Sequence, residues 1–244
     1  MFNDNAHNLV LGHRGAPLME IENTVASFRR AIEDGADGVE LDIRPTKDHV
    51  LVVSHDNSLK RVYGLDIRVE DSTYSEVKAA APSVATLKEV FDALGPVYYD
   101  IEIKADQAVD FNREVCTLLM EELERRKELA PKIMVSSFNP IAMRLFSRIS
   151  SRQYEMAVIY DGPKTALPFF MRHGEGRHFF PCTFLKPKWD IAAGEKNRKK
   201  KWEMVPWTVD TEEALDEVLP LDLPFIITND SSRIVRILRE RKIR

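Results

Sequence analysis

The chain has 244 residues, 44% of them hydrophobic and 30% charged, a balance that excludes a disordered polymer and permits one sizeable core. A formal net charge of -4 and a sequence pI near 5.9 give no global attraction for nucleic acid or anionic lipid, so phosphate chemistry would have to rest on local charge. Two cysteines, Cys116 and Cys182, are too few for a disulfide framework and are expected as reduced thiols in a packed interior. The polar stretch Met1–Asn8 lacks a basic-then-apolar leader, and no run approaches the ~20 apolar residues of a membrane span; a cytoplasmic protein is expected.

Short apolar runs alternate with longer helical patterns along the whole chain, the signature of repeated βα units and a parallel sheet. Strands are predicted at 8–12, 38–44, 97–103, 132–137, 154–160, 179–184, 204–209 and 224–228. Helices are predicted at 23–34, 86–94, 107–127, 140–149, 211–218 and 231–241, with weaker patterns after the fifth and sixth strands. Asn23 is placed to cap the first helix, whose buried stripe is Val25, Phe28 and Ile32, and Gly35 stops it. The stretch 57–82 fits neither a strand nor the next helix and is read as an insertion in the second unit. A basic run, Arg198 to Lys201, reads as a solvated helix face. The amphipathic C-terminal segment, with Ile234, Val235, Ile237 and Leu238 on one side, reads as the last helix closing against the first strand.

Strand alternation locates the chemistry, because successive side chains point to opposite faces. In the second strand Val39, Leu41 and Ile43 share one face, and Glu40, Asp42 and Arg44 share the other. In the third, Tyr98, Asp100, Glu102 and Lys104 oppose Val97, Tyr99, Ile101 and Ile103. Covering helices need the apolar face, so the charged face lines the interior, where ionised carboxylates require a cation or hydrogen bonds. Glu40, Asp42 and Glu102 form an oxygen-only set suited to a hard divalent ion, Mg²⁺ or Ca²⁺, rather than zinc. The competing reading is a buried ion-pair network with Arg44 and Lys104. Two histidines, His13 and His55, end strand-like runs. Phosphodiester cleavage needs a base and an acid, roles that histidine fills near neutral pH. Arg14 and Lys104 can donate to non-bridging phosphate oxygens.

The strings Gly12-His13-Arg14-Gly15, Glu22-Asn23-Thr24, Gly35 to Asp42, Thr46-Lys47-Asp48 and Ser54-His55-Asp56 resemble the glycerophosphodiester phosphodiesterase family. Thr86 to Val90, Ile101 to Lys104, Ser136-Ser137-Phe138 and Trp207-Thr208-Val209 follow in that family's order. The resemblance implies a (β/α)8 TIM barrel with a small insertion after the second strand. It further implies His13 and His55 as the acid/base pair, Glu40, Asp42 and Glu102 as metal ligands, Arg14 and Lys104 on the phosphate, Glu22 near His13, and Trp207 at the rim. The last strand departs from the family's usual Gly-Ile-Ile-Thr-Asp ending, reading Phe225 to Ser231 instead.

The expected activity is hydrolysis of a small-molecule glycerophosphodiester to sn-glycerol 3-phosphate and an alcohol. A lysophospholipase D would call for exposed apolar loops or a leader, neither evident in the sequence. A phosphoester sensor would call for a damaged histidine or carboxylate. An aldolase would call for a Schiff-base lysine, a part for which Lys104 could be mistaken. The residues leave open which histidine acts first as the base, and the oligomeric state.

Overall fold

The computed structural model describes residues 7–105, 109–162, 172–194 and 202–244. Their nine strands are β1 (Leu9–His13), β2 (Gly38–Pro45), β3 (Leu51–Val53), β4 (Tyr98–Ile103), β5 (Ile133–Ser137), β6 (Glu155–Tyr160), β7 (Phe184–Pro187), β8 (Glu203–Met204) and β9 (Phe225–Thr228). They run β8-β7-β6-β5-β4-β2-β1-β9, all parallel, with β3 antiparallel on β2. Residues just past β8 complete the ring: Trp207 N–H donates to Pro187 O, Ile227 N–H to Pro206 O and Val209 N–H to Ile227 O. The result is a nearly closed eight-stranded parallel barrel with helices outside, the (β/α)8 architecture expected.

The helices are α1 (Val25–Glu33), α2 (Lys60–Tyr63), α3 (Tyr74–Ala80), α4 (Leu87–Leu94), α5 (Val109–Glu124), α6 (Pro140–Ile149), α7 (Trp189–Gly194), α8 (Glu212–Val218) and α9 (Ser231–Glu240). Their apolar stripes meet the outward strand residues, such as Val39, Leu41, Ile101 and Val135, in one continuous core. A second apolar cluster, Leu11, Met134, Ala157, Phe184, Val205, Phe225 and Ile227, fills the barrel interior. Buried polar residues, among them Glu40, Asp100, Ser136 and Lys186, share the interior with it. As expected, α9 packs its buried Ile234, Val235, Ile237 and Leu238 beside β1, and both cysteines are free thiols.

The insertion carries α2, α3 and a short 3-10 turn at Val69–Asp71. It has its own small core of Leu59, Val69, Val77 and Ala81, packed with Val52 and Val84 outside it. A capping box of Thr73 and Glu76 starts α3.

Three local expectations are corrected. Thr24, not Asn23, caps α1: its extended backbone lets its hydroxyl accept from Ser27 N–H, whereas Asn23 sits at φ 58° and turns its amide to the site. The strand expected at 179–184 lies at β7 instead. Pro181 has no N–H for a ladder, and pairing with β6 begins at Phe184 opposite Ala157. The run expected as a strand at 204–209 is only two residues of regular strand, because Pro206 interrupts donation, although its backbone still bridges β7 and β9. The basic run Arg198 to Lys201 lies outside the described residues.

Candidate active site

Inward-facing positions along the strands supply the site. His13 ends β1 beside Glu40 of β2, and Asp42 lies beside Glu102 of β4 in the parallel register. Between β1 and α1, Gly15 takes φ 90°, and a Cβ there would lie 2.4 Å from the Ser27 hydroxyl. This turn needs glycine to let Arg14 fold over the barrel mouth. His13, Arg14, Glu40, His55, Glu102, Lys104 and Trp207 line one cavity of about 130 Å³, closed on its apolar side by Phe138, Ile159 and Ile227. A neighbouring cleft of about 390 Å³ opens past His55, Glu102 and Lys104 toward Arg44, Asn57 and Asn139.

The acidic triad assembles as the alternation requires. One oxygen from each of Glu40, Asp42 and Glu102 lies within 4.8 Å of the others, and all three residues are buried. Burial and then the charge of Asp42 push the Glu40 carboxyl well above the usual range. Burial would raise Asp42 too, but Lys104, His55 and Arg14, with a hydrogen bond from Asn23, hold it far below. Lys104 Nζ lies 2.9 Å from Asp42 Oδ1 and 2.5 Å from Glu102 Oε1. Arg44 is engaged elsewhere, 2.6 Å from Glu70 of the insertion. Lys104 therefore pairs with two members of the triad while Arg44 pairs with Glu70, and the three converging carboxylate oxygens form a set that a hard divalent ion would fit.

The two histidines face different partners. His13 Nδ1 donates to Asn229 Oδ1 at 2.7 Å, which leaves its Nε2 lone pair toward the cavity, 3.9 Å from Glu40 Oε2. Burial, then the neighbouring Arg14, lowers its pKa to about 4. The Asn229 amide is oriented by Asp210, which accepts from Nδ2 at 2.8 Å and from the Asn229 backbone N–H at 2.7 Å. His55 Nδ1 instead meets a carboxylate, Asp56 Oδ1, at 2.6 Å. Despite burial, hydrogen bonds from His55 and Arg61 hold Asp56 below the ordinary range.

The cations are placed around the triad. Arg14 donates its backbone N–H to Glu40 at 3.1 Å and its guanidinium to Glu22 at 3.0 Å, with Nε 3.5 Å from Asp42. Glu22 does not line the cavity; it anchors Arg14. Trp207 donates Nε1–H to Lys186 O at 3.0 Å and packs edge-on to Phe138. Sequence reasoning missed Lys186, which is buried on β7, lines the cavity and pairs with Asp100 at 2.5 Å while donating to Ser136. The misplaced strand hid its inward parity. Asn229, Asp56 and Arg61 were missed as well. Asn229 is two residues beyond inward-facing Ile227, so alternation along the last strand could have found it.

Residues 13–233 match the model of the glycerophosphoryl diester phosphodiesterase family. The chain belongs to this family. It is 27% identical over 243 residues to the glycerophosphodiester phosphodiesterase of Caldanaerobacter subterraneus subsp. tengcongensis, covering 95% of this chain and 98% of that protein. Among solved structures it resembles the glycerophosphodiester phosphodiesterase of Thermotoga maritima, with a TM-score of 0.76 and 30% identity over 95% of this chain and 98% of the other. An Oleispira antarctica phosphodiesterase, solved with the product sn-glycerol-3-phosphate, shares the fold at a TM-score of 0.77 and 18% identity over 96% of this chain and 97% of that one. The chain is accordingly a phosphoric diester hydrolase of that family.

Proposed function

We propose that the chain, acting as one barrel domain with 57–82 as an insertion, hydrolyses glycerophosphodiesters to sn-glycerol 3-phosphate and an alcohol. The observation that carries this is a buried cluster of three carboxylates, two of which, Glu40 and Glu102, line one small cavity with two histidines and the cations Arg14 and Lys104. Glu40, Asp42 and Glu102 would hold the divalent ion, which when bound supplies Lewis-acid polarisation and a template for the phosphate. Arg14 and Lys104 orient the non-bridging oxygens, and Lys186 adds positive charge at the floor. The glycerol of such substrates carries a hydroxyl next to the esterified carbon, positioned for internal attack through a cyclic phosphate. His13, neutral and with Nε2 free, takes the proton of the attacking hydroxyl. His55, backed by the Asp56 carboxylate, protonates the departing alcohol; water then opens the ring with the roles exchanged. Trp207 and Phe138 wall the cavity on its apolar side.

The test is metal-stripped protein re-supplied with Mg²⁺, Ca²⁺ or Mn²⁺ and assayed on a panel of glycerophosphodiesters, with glycerol 3-phosphate as the readout. Restored release by one hard cation supports the reading; full release without any added metal overturns the metal assignment.

A cytoplasmic enzyme for small deacylated headgroups, with no nucleic-acid partner, fits the charge. Among the described residues no helix is long and apolar enough to cross a membrane. One observation favours a second reading, a lysophospholipase D. Leu18, Met19 and Ile21, directly before Glu22, are 65%, 59% and 46% exposed, an apolar loop that the sequence alone did not disclose. Changing all three to serine should spare soluble diesters and lower turnover of lysophospholipid in vesicles if this second reading holds; equal effects on both would dismiss it.

A further inference from the structure

The insertion reaches the site through one side chain. Arg61, on α2, spreads its guanidinium between two carboxylates. Nη1 and Nη2 donate to the two oxygens of Glu22 at 2.8 and 2.6 Å, and Nε donates to Asp56 Oδ2 at 2.5 Å. The second oxygen of Asp56 is the acceptor for His55 Nδ1, and Glu22 also accepts from Arg14. A single planar fork therefore touches the supports of both the histidine and the arginine that line the cavity.

We propose that Arg61 is a positioning residue for the reaction. By fixing Asp56 it keeps the proton of His55 on Nδ1, leaving Nε2 for the cavity, and by fixing Glu22 it steadies Arg14. This rests on the acid/base role proposed for His55. Arginine is suited to the task because its fork binds one carboxylate bidentately while Nε holds another, a geometry that the point charge of lysine cannot reproduce. Stability is a poor explanation for the arrangement. The Arg61 side chain is 48% exposed, and ion pairs in such a setting contribute little to folding. What the pair of contacts does restrict is geometry. Asp56 stands on a half-buried connection after β3, and the contact on its Oδ2 comes from Arg61. The insertion is thus part of the catalytic frame.

The experiment compares Arg61→Met and Arg61→Lys with Arg68→Met, a control on the same insertion whose Nε pairs with Asp71 at 2.7 Å, and with His55→Asn as reference. Arg61→Met should lower kcat on the order of 10- to 100-fold, as a small misplacement of a reacting group does, with KM for a small diester nearly unchanged. Arg61→Lys should recover part of the loss, and Arg68→Met should behave as wild type. Nitrogen-15 NMR of the neutral His55 ring, recorded at high pH, should pass from one tautomer to a mixture in Arg61→Met. Arg61→Gln replaces it if the methionine variant does not fold. Wild-type kcat with unchanged His55 ring signals overturns the proposal, as does a loss confined to KM, which would make Arg61 a substrate ligand. Wild-type activity of His55→Asn would instead remove the acid/base reading on which the proposal stands.

Discussion

The two histidines border the same cavity, yet different parts of the molecule hold them. His13 belongs to the barrel proper. Its partner Asn229 follows β9, Asp210 fixes Asn229 from the preceding unit, and the group in contact with the ring is an uncharged amide. His55 follows the antiparallel β3, and its partner is an ionised carboxylate tied to the insertion through Arg61. Their side-chain exposures differ accordingly, 16% against 31%. An amide on Nδ1 sets a tautomer without favouring charge, which suits a proton acceptor. A carboxylate there sets the same tautomer and stabilises the imidazolium, which suits a donor. Under the proposed mechanism, the asymmetry assigns the base to the barrel and the acid to the insertion side.

The largest effects should come from removing either ring. His13→Asn and His55→Asn are each expected to lower kcat by about 10²- to 10⁴-fold, and the double variant should lose little more than the worse single one, because the two act as a unit. A double variant losing the full product of the two effects would show independent roles and break the comparison. Substrates can divide the pair further. A glycerophosphodiester whose leaving group is an acidic phenol, such as glycerol p-nitrophenyl phosphate, needs no protonation on departure and keeps the attacking hydroxyl. On it, His55→Asn should recover much of its rate relative to His13→Asn; equal defects would overturn this assignment, and recovery of His13→Asn alone would reverse it.

Next in size is the floor that the two arms share. Glu102→Gln removes one member of the triad and one partner of Lys104, and calorimetric titration should show affinity for Mg²⁺ or Ca²⁺ lowered by about 100-fold or more. Unchanged affinity would leave Glu102 as the structural partner of Lys104 alone.

How far each arm was legible in the sequence follows from what kind of rule places it. Glu40, Asp42 and Glu102 lie in strands that alternate cleanly, so their common face could be read from parity before any coordinates. His13 and His55 stood at strand ends, and the resemblance to a family assigned their roles. The partners were less legible. Asp56 and Arg61 meet through a turn and a helix of four residues, where no periodicity specifies direction. Lys186 was hidden when its strand was framed too early, because a run rich in phenylalanine precedes Pro181 and imitates a strand. Asn23 was assigned to the wrong task because capping propensity does not report φ, and at 58° its amide is delivered to Asp42 instead.

The smallest effect should come from exchanging the partner of His13, and it sharpens the comparison most. Asn229→Asp would give His13 the kind of neighbour that His55 has, but it would also set a second carboxylate against Asp210, which now accepts from the Asn229 amide at 2.8 Å. The exchange is cleaner as the double variant Asn229→Asp with Asp210→Asn, which keeps one amide and one carboxylate in contact. His13 titrates at about 4 in the folded protein, so the neutral ring that a base requires is present above that pH and is lost as the pH falls through it. A carboxylate on Nδ1 favours the charged ring and should move the acid limb of the rate profile upward by about one unit. Turnover at pH 4 would fall about five-fold while turnover at pH 8 stayed within about two-fold. Folding stability supplies an independent check in metal-free protein. A histidine depressed in the native state binds fewer protons there than in the unfolded chain, so it lowers stability as the pH falls from 6.5 toward 4. The exchanged pair narrows that window, and chemical unfolding at pH 4 and 7 should show a smaller difference than in the parent. An acid limb that stays in place while the stability difference shrinks would separate His13 from the base role and leave it as a buried ring whose protonation concerns folding alone.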